Sequence, residues 1–148
     1  TPDQIVYSGS FPLVLDVALG RRDELVVYGR DYPTPDGTCV RDYIHVKYLA
    51  TAHLLGLEKL VAGHAGVVNL GNGTGFSVLD VIRAAERVTK LKVPFRIGGR
   101  RPGDPASLVA SSDRAERLLG WKRFHPRIDD IIRDAFEWKT RFPDGYES

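Results

Sequence analysis

The stretch from Val67 to Val88 constrains this chain more than any other. A short apolar run, Val67 to Leu70, meets Gly71-Asn72-Gly73-Thr74-Gly75. Ser77 and Asp80 follow at the spacing of a capping box, with Asp where Glu is usual. Val78, Val81, Ile82, Ala85 and Val88 then recur at helical intervals. The reading is a strand, a tight turn and a capped amphipathic helix, hence a mixed α/β fold. A glycine turn between strand and helix is also the setting of a dinucleotide-binding loop, whose helix N-terminus can hold a phosphate. Here Phe76 stands where the third glycine is required, and no strand–helix–strand unit surrounds the turn. The plainer reading, a tight turn before a capped helix, is favoured.

The remaining segments are equally short. A helix is predicted from Ser10 to about Gly20, with Ser10 as cap and Pro12 in the first turn. Leu25 to Tyr28 reads as a buried strand. Pro33-Thr34-Pro35-Asp36-Gly37 is a turn, since proline presets φ and glycine tolerates positive φ. A helix is predicted from Val46 to Val61, with Ala50, Leu54, Leu57 and Val61 on its inner face and Gly63 and Gly66 ending it. Val93 to Ile97 is a strand whose Pro94 puts it at an edge, and Ser107 to Ala110 a further short strand. Ser112 caps a helix that stops at Gly120. The last helix turns Ile128, Ile131, Ile132, Ala135 and Phe136 inward and stops before Pro143. Residues 1–10 are not placed; residues 11–148 are read as one unit. So few short strands do not make a complete doubly wound sheet.

A net charge of +2 over 148 residues argues against nucleic-acid and membrane-surface binding. No apolar run approaches the length of a membrane span. Cys39 is the single cysteine, so no internal disulfide forms, which favours a reducing, cytoplasmic setting. The four histidines show no ligand spacing; His45 and His53 have no third partner, and no metal is predicted.

Three motifs in sequence point to a family. They are Thr38-Cys39-Val40-Arg41-Asp42-Tyr43-Ile44-His45-Val46, then Asn69 to Leu79 with the glycine turn, then Arg100-Arg101-Pro102-Gly103-Asp104. Together they resemble the C-terminal half of UDP-glucose 4-epimerases, which are extended short-chain dehydrogenases/reductases, and the likeness runs from Phe11 to Tyr146. Tyr48 departs from it, standing where the family usually has Asp. The resemblance implies a small mixed α/β substrate-binding portion without a complete Rossmann domain. It implies a parent isomerase of galactose metabolism, homodimeric, in which NAD takes a hydride from C4 of the sugar and returns it to the other face. The cofactor loop and catalytic tyrosine would lie in an N-terminal Rossmann half, the natural partner of this portion. With no Met and with that half missing, the sequence reads as an excerpt of a longer protein, inactive alone.

The resemblance also assigns site residues. Arg41 and Arg101 match positions that contact the UDP pyrophosphate, as the arginine fork suits phosphate oxygens. Asp104 matches the position that accepts from the uridine ribose hydroxyls. Val26, Val27 and Tyr28 match the strand that holds uracil through its backbone, and Tyr28 keeps an aromatic for the base. Leu108 matches a position beside the sugar, intermediate in size, which leaves the sugar open; alternatively it is a core residue of a short strand. Spacing alone would pair Arg41 with Asp42 or another surface acid and leave Arg101 solvated. Tyr43 and Lys47 have the Tyr-x-x-x-Lys spacing of the short-chain dehydrogenases, but Tyr43 precedes the helix start and no upstream Ser completes a triad. No catalytic residue is assigned to this chain. Alternatives are a portion of another UDP-sugar epimerase, a non-catalytic nucleotide-sugar binding module, and a domain that folds only with a partner chain.

Overall fold

The computed structural model describes residues 10–59, 66–122 and 127–145. The unplaced start of the chain, Val61 and Gly63 therefore lie outside the described residues, apart from Ser10. Five helices and five short strands follow in the order α1 (Ser10–Ala18), β1 (Leu25–Tyr28), β2 (Val40–Asp42), α2 (Val46–Lys59), β3 (Gly75–Ser77), α3 (Val78–Thr89), β4 (Phe95–Gly98), β5 (Ser107–Leu108), α4 (Asp113–Leu119) and α5 (Ile128–Arg141).

Two small sheets result, as a mixed α/β reading requires. β1 pairs with β4 in parallel, and β2 lies between antiparallel β3 and parallel β5. β4 begins just after Pro94 and has β1 as its one partner among the described residues, which agrees with an edge strand.

The main core forms where α1, β1, α3 and α5 meet. Val14, Leu15, Val27, Val81, Ile82 and Ile132 are its most enclosed large side chains. The stripe of α3 is inward as read, and so is that of α5, with Ala135 and Phe136 partly buried against the core. α3 starts with the expected capping box. Ser77 Oγ accepts from the Asp80 amide at 3.0 Å, and the Ser77 amide donates to Asp80 Oδ2 at 3.1 Å. A second cluster gathers Ala52 of α2, Ala115 of α4 and Trp121. The Trp121 indole donates to Tyr48 O at 3.1 Å, so Tyr48 anchors α2 to this cluster through its backbone.

Three expectations are corrected. Val67 to Leu70 forms no strand, because no strand among the described residues hydrogen-bonds to it; the strand lies after the glycine turn, at β3. Val68 and Leu70 pack on the Trp121 cluster while Val67 is 77% exposed. The inner face of α2 is also different. Tyr48, Ala52 and Leu55 face the cluster, whereas Ala50, Leu54 and Leu57 are exposed. Both faces of α2 are apolar, so periodicity alone could not choose between them. Finally, Ser112 stands at the N-cap position of α4, but its side chain makes no cap bond. Its hydroxyl donates to Gly71 O at 2.7 Å and accepts from Gly71 N at 2.8 Å, tying α4 to the glycine turn.

Candidate functional site

The glycine turn spends its donors inside the protein. Asp42, at the end of β2, accepts from the amides of Asn72 at 3.0 Å, Ala110 at 3.3 Å and Gly73 at 3.4 Å. A Cβ on Gly71 would lie 2.2 Å from Asp42 Oδ2, so glycine is needed there for close approach. The anion held by this loop is thus a carboxylate of the same chain, and the residues present do not fit a dinucleotide phosphate.

Tyr43 and Lys47 are not brought together. The Tyr43 side chain is buried with its ring edge-on to Phe11, with 4.5 Å between ring centroids. Lys47 is exposed and donates to Asp134 Oδ2 at 2.8 Å. That bond holds the Asp134 carboxyl below, and the Lys47 ammonium above, their ordinary values. His45 shares the same acid. Its Nδ1 accepts from the Lys47 amide, which leaves the proton on Nε2 to donate to Asp134 at 3.0 Å. His53 bonds Leu49 O within α2. Among the described residues, no group of three His, Cys, Asp or Glu side chains has the arrangement of a metal site.

The residues assigned to a nucleotide gather at the ends of β1 and β2 and on the loop after β4. In β1, Leu25 N and Gly29 N donate to Pro94 O and Gly98 O. Strand alternation therefore turns the peptide groups of Val26 and Tyr28 to the outer edge, away from β4. Val27 faces β4 with its peptide groups and the core with its side chain. Tyr28 is 42% exposed, and the Arg101 guanidinium lies over one face of its ring, 4.4 Å from the centroid. Arg100 repeats the motif on Tyr32 at 4.3 Å and bonds Asp31 at 2.8 Å, which lowers the Asp31 carboxyl.

Arg41 sits mid-strand in β2. It pairs not with Asp42 but with another acid, Asp104, at Oδ1, and it donates to Val40 O at 2.7 Å and Pro105 O at 2.9 Å. The two residues assigned to ribose and pyrophosphate therefore hold each other. Cys39, buried, points its Sγ at Asp104 Oδ2 across 3.7 Å. The Asp104 amide in turn donates to Arg101 O at 3.2 Å, closing the turn that carries both residues. Leu108 registers beside Arg41 in β5 and is 61% exposed, so it is not a core residue.

A cavity of about 600 Å³ lies elsewhere, between α1, the start of α2 and α5, walled by Phe11, Leu15, Ile44, Ile131 and Trp138 among others. None of the assigned nucleotide residues lines it, and its apolar wall suits packing rather than a charged ligand.

No protein-family model matches the chain. It is 48% identical over 138 residues to a UDP-glucose 4-epimerase of Halalkalibacterium halodurans, covering 93% of this chain and 41% of that protein. It is 50% identical over 136 residues to a UDP-glucose 4-epimerase of Streptomyces lividans, covering 92% of this chain and 41% of that protein. The crystal structure of UDP-glucose 4-epimerase from Bifidobacterium longum in complex with NAD+ and UDP superposes with a TM-score of 0.86. It is 43% identical, over 97% of this chain and 42% of that one. The fold is thus that of one part of the UDP-glucose 4-epimerase structures, without a complete Rossmann sheet among the described residues. The chain matches one part of the UDP-glucose 4-epimerases and spans about two fifths of their length.

Proposed function

We propose that the chain is the UDP-sugar-binding part of a UDP-glucose/UDP-galactose 4-epimerase and turns over no substrate alone. The observation that carries this reading is the meeting of Tyr28, Arg41, Arg101 and Asp104 from three separate segments. A uracil would lie on the open face of Tyr28 and bond the outer peptide groups of Val26 and Tyr28, with Val27 anchoring the strand. Arg101 and the free donors of Arg41 would meet the pyrophosphate, Asp104 the ribose, and Leu108 the sugar. NAD belongs to the remainder of the longer enzyme, since the glycine turn here is filled by Asp42 and Tyr43 is apart from Lys47. That remainder, the N-terminal Rossmann half, is the proposed partner, and the whole enzyme is proposed to be homodimeric and cytoplasmic.

Titration of the 148-residue chain with UDP, followed by backbone NMR, tests the reading. Saturable shifts at Tyr28, Arg41 and Asp104 are expected. A folded chain showing none up to about millimolar UDP, where binding is worth only about 4 kcal/mol, would sink it.

A further inference from the structure

We infer that the two arginines of the site have unlike duties: Arg101 acts on the ligand alone, whereas Arg41 is also the positioning residue that aims Asp104. The inference rests on the nucleotide reading above and deepens it. An arginine has five N–H donors. The two on Arg41 Nη1 match its two carbonyl acceptors, Val40 O and Pro105 O, and one on Nη2 goes to Asp104 Oδ1. Only Nε–H and one Nη2 hydrogen remain for a ligand. Two of the three acceptors, Asp104 and Pro105, lie on the loop between β4 and β5, while Arg41 stands on the central strand of its sheet. The guanidinium therefore fastens a loop to a strand. Cys39 contacts the second oxygen of Asp104, so the carboxylate is held at both ends. Arg101 is different. Among the described residues its guanidinium stacks on Tyr28, and no hydrogen bond or ion pair of its side chain is found. Among those residues its donors are uncommitted.

Ribose recognition and phosphate recognition are then coupled through Arg41 and not through Arg101. A ribose hydroxyl is read by a carboxylate only if its lone pairs point correctly, and removal of Arg41 frees Asp104 to rotate. Arg101 can be removed without disturbing that carboxylate.

The test compares wild type, Arg41→Ala, Arg41→Lys and Arg101→Ala for binding of UDP, uridine and 2′-deoxy-UDP. Arg101→Ala is expected to weaken UDP about ten- to hundredfold, as loss of a charge-assisted contact does, and to leave uridine within about twofold. Arg41→Ala is expected to weaken uridine as well and to erase the preference for UDP over its 2′-deoxy analogue. A general loosening of the fold would lower both analogues equally and keep the preference. Arg41→Lys restores charge but not the fork, so it should recover UDP affinity in part without recovering the ribose preference. Amide exchange gives a readout free of ligand: Arg41→Ala should speed exchange at Asp104 and at Val40, whose amide bonds Ala106 O. Unchanged exchange at Asp104, or an Arg41→Ala chain that keeps wild-type uridine affinity and ribose preference, overturns the inference while leaving the site intact. A wild-type chain that binds no UDP overturns the reading beneath it.

Discussion

Asp36 shows how one side chain can hold distant segments in register. Its carboxylate accepts from Thr38 N at 3.0 Å and Thr38 Oγ1 at 2.7 Å within the proline turn, and from Ser77 Oγ at the cap of α3 at 2.5 Å. Gly37 makes the turn possible: its φ is +80°, and a Cβ there would strike Arg30 O. Burial pushes the Asp36 carboxyl up, but the bonds from Ser77 and Thr38 outweigh it and hold the group below the ordinary range. The Asp134 carboxyl is lowered by Lys47. A carboxyl lowered on folding binds protons more readily in the unfolded chain. Its contribution is therefore full above the ordinary value, about 3.9, and is lost as pH falls through the lowered native value. The melting temperature should begin to drop as pH falls through about 4 and go on falling below it. Asp36→Asn should cost about 1–2 kcal/mol near neutrality and flatten that drop. Thermal melts across the pH series check both; an equally steep drop in the variant would assign the acid sensitivity elsewhere.

At the scale of elements, α3 carries the most weight, because its cap meets the Asp36 turn and its stripe meets α1 and α5. Ser77→Ala removes the cap and leaves Asp36 one bond short, so a loss of about 1–2 kcal/mol in urea unfolding is expected. The helices α3 and α5 were legible because each carries a single apolar stripe, which a capping box supports in α3 and a closing proline in α5. α2 was legible as a helix but not in its facing, since Leu54 and Leu57 look as core-like as Ala52 and Leu55. Val67 to Leu70 read as a strand because its residues favour one, but pairing is not a property of four residues. Likewise nothing in the spacing tells that Asp42 occupies the glycine turn or that Ser112 bonds Gly71; both are contacts across tens of residues. The members of the proposed site come from family motifs; its wiring is in no motif. That Arg41 and Asp104 hold each other depends on where the loop after β4 comes to rest.

For the molecule as a whole, the outward face of α2 is the feature with most reach. Val46, Leu54 and Leu57 expose 69%, 62% and 69% of their surface, more than scattered apolar residues usually do in one stripe. The proposed partner half would cover them. Leu57→Glu should then change the stability of this chain by less than about 0.5 kcal/mol, lower its binding of an apolar-surface dye, and impair the longer enzyme. Unaltered dye binding would place the sticky surface elsewhere. On the opposite side of α2, Val67 to Leu70 has, among the described residues, no hydrogen-bonded strand neighbour. Backbone groups left without a strand partner offer an edge to the next chain that arrives. Storage at high concentration is therefore a condition that strains this protein, and its solubility ceiling falls with backbone left open in this way. Val67→Lys, at an exposed position of that edge, should raise the ceiling and leave UDP binding as it was.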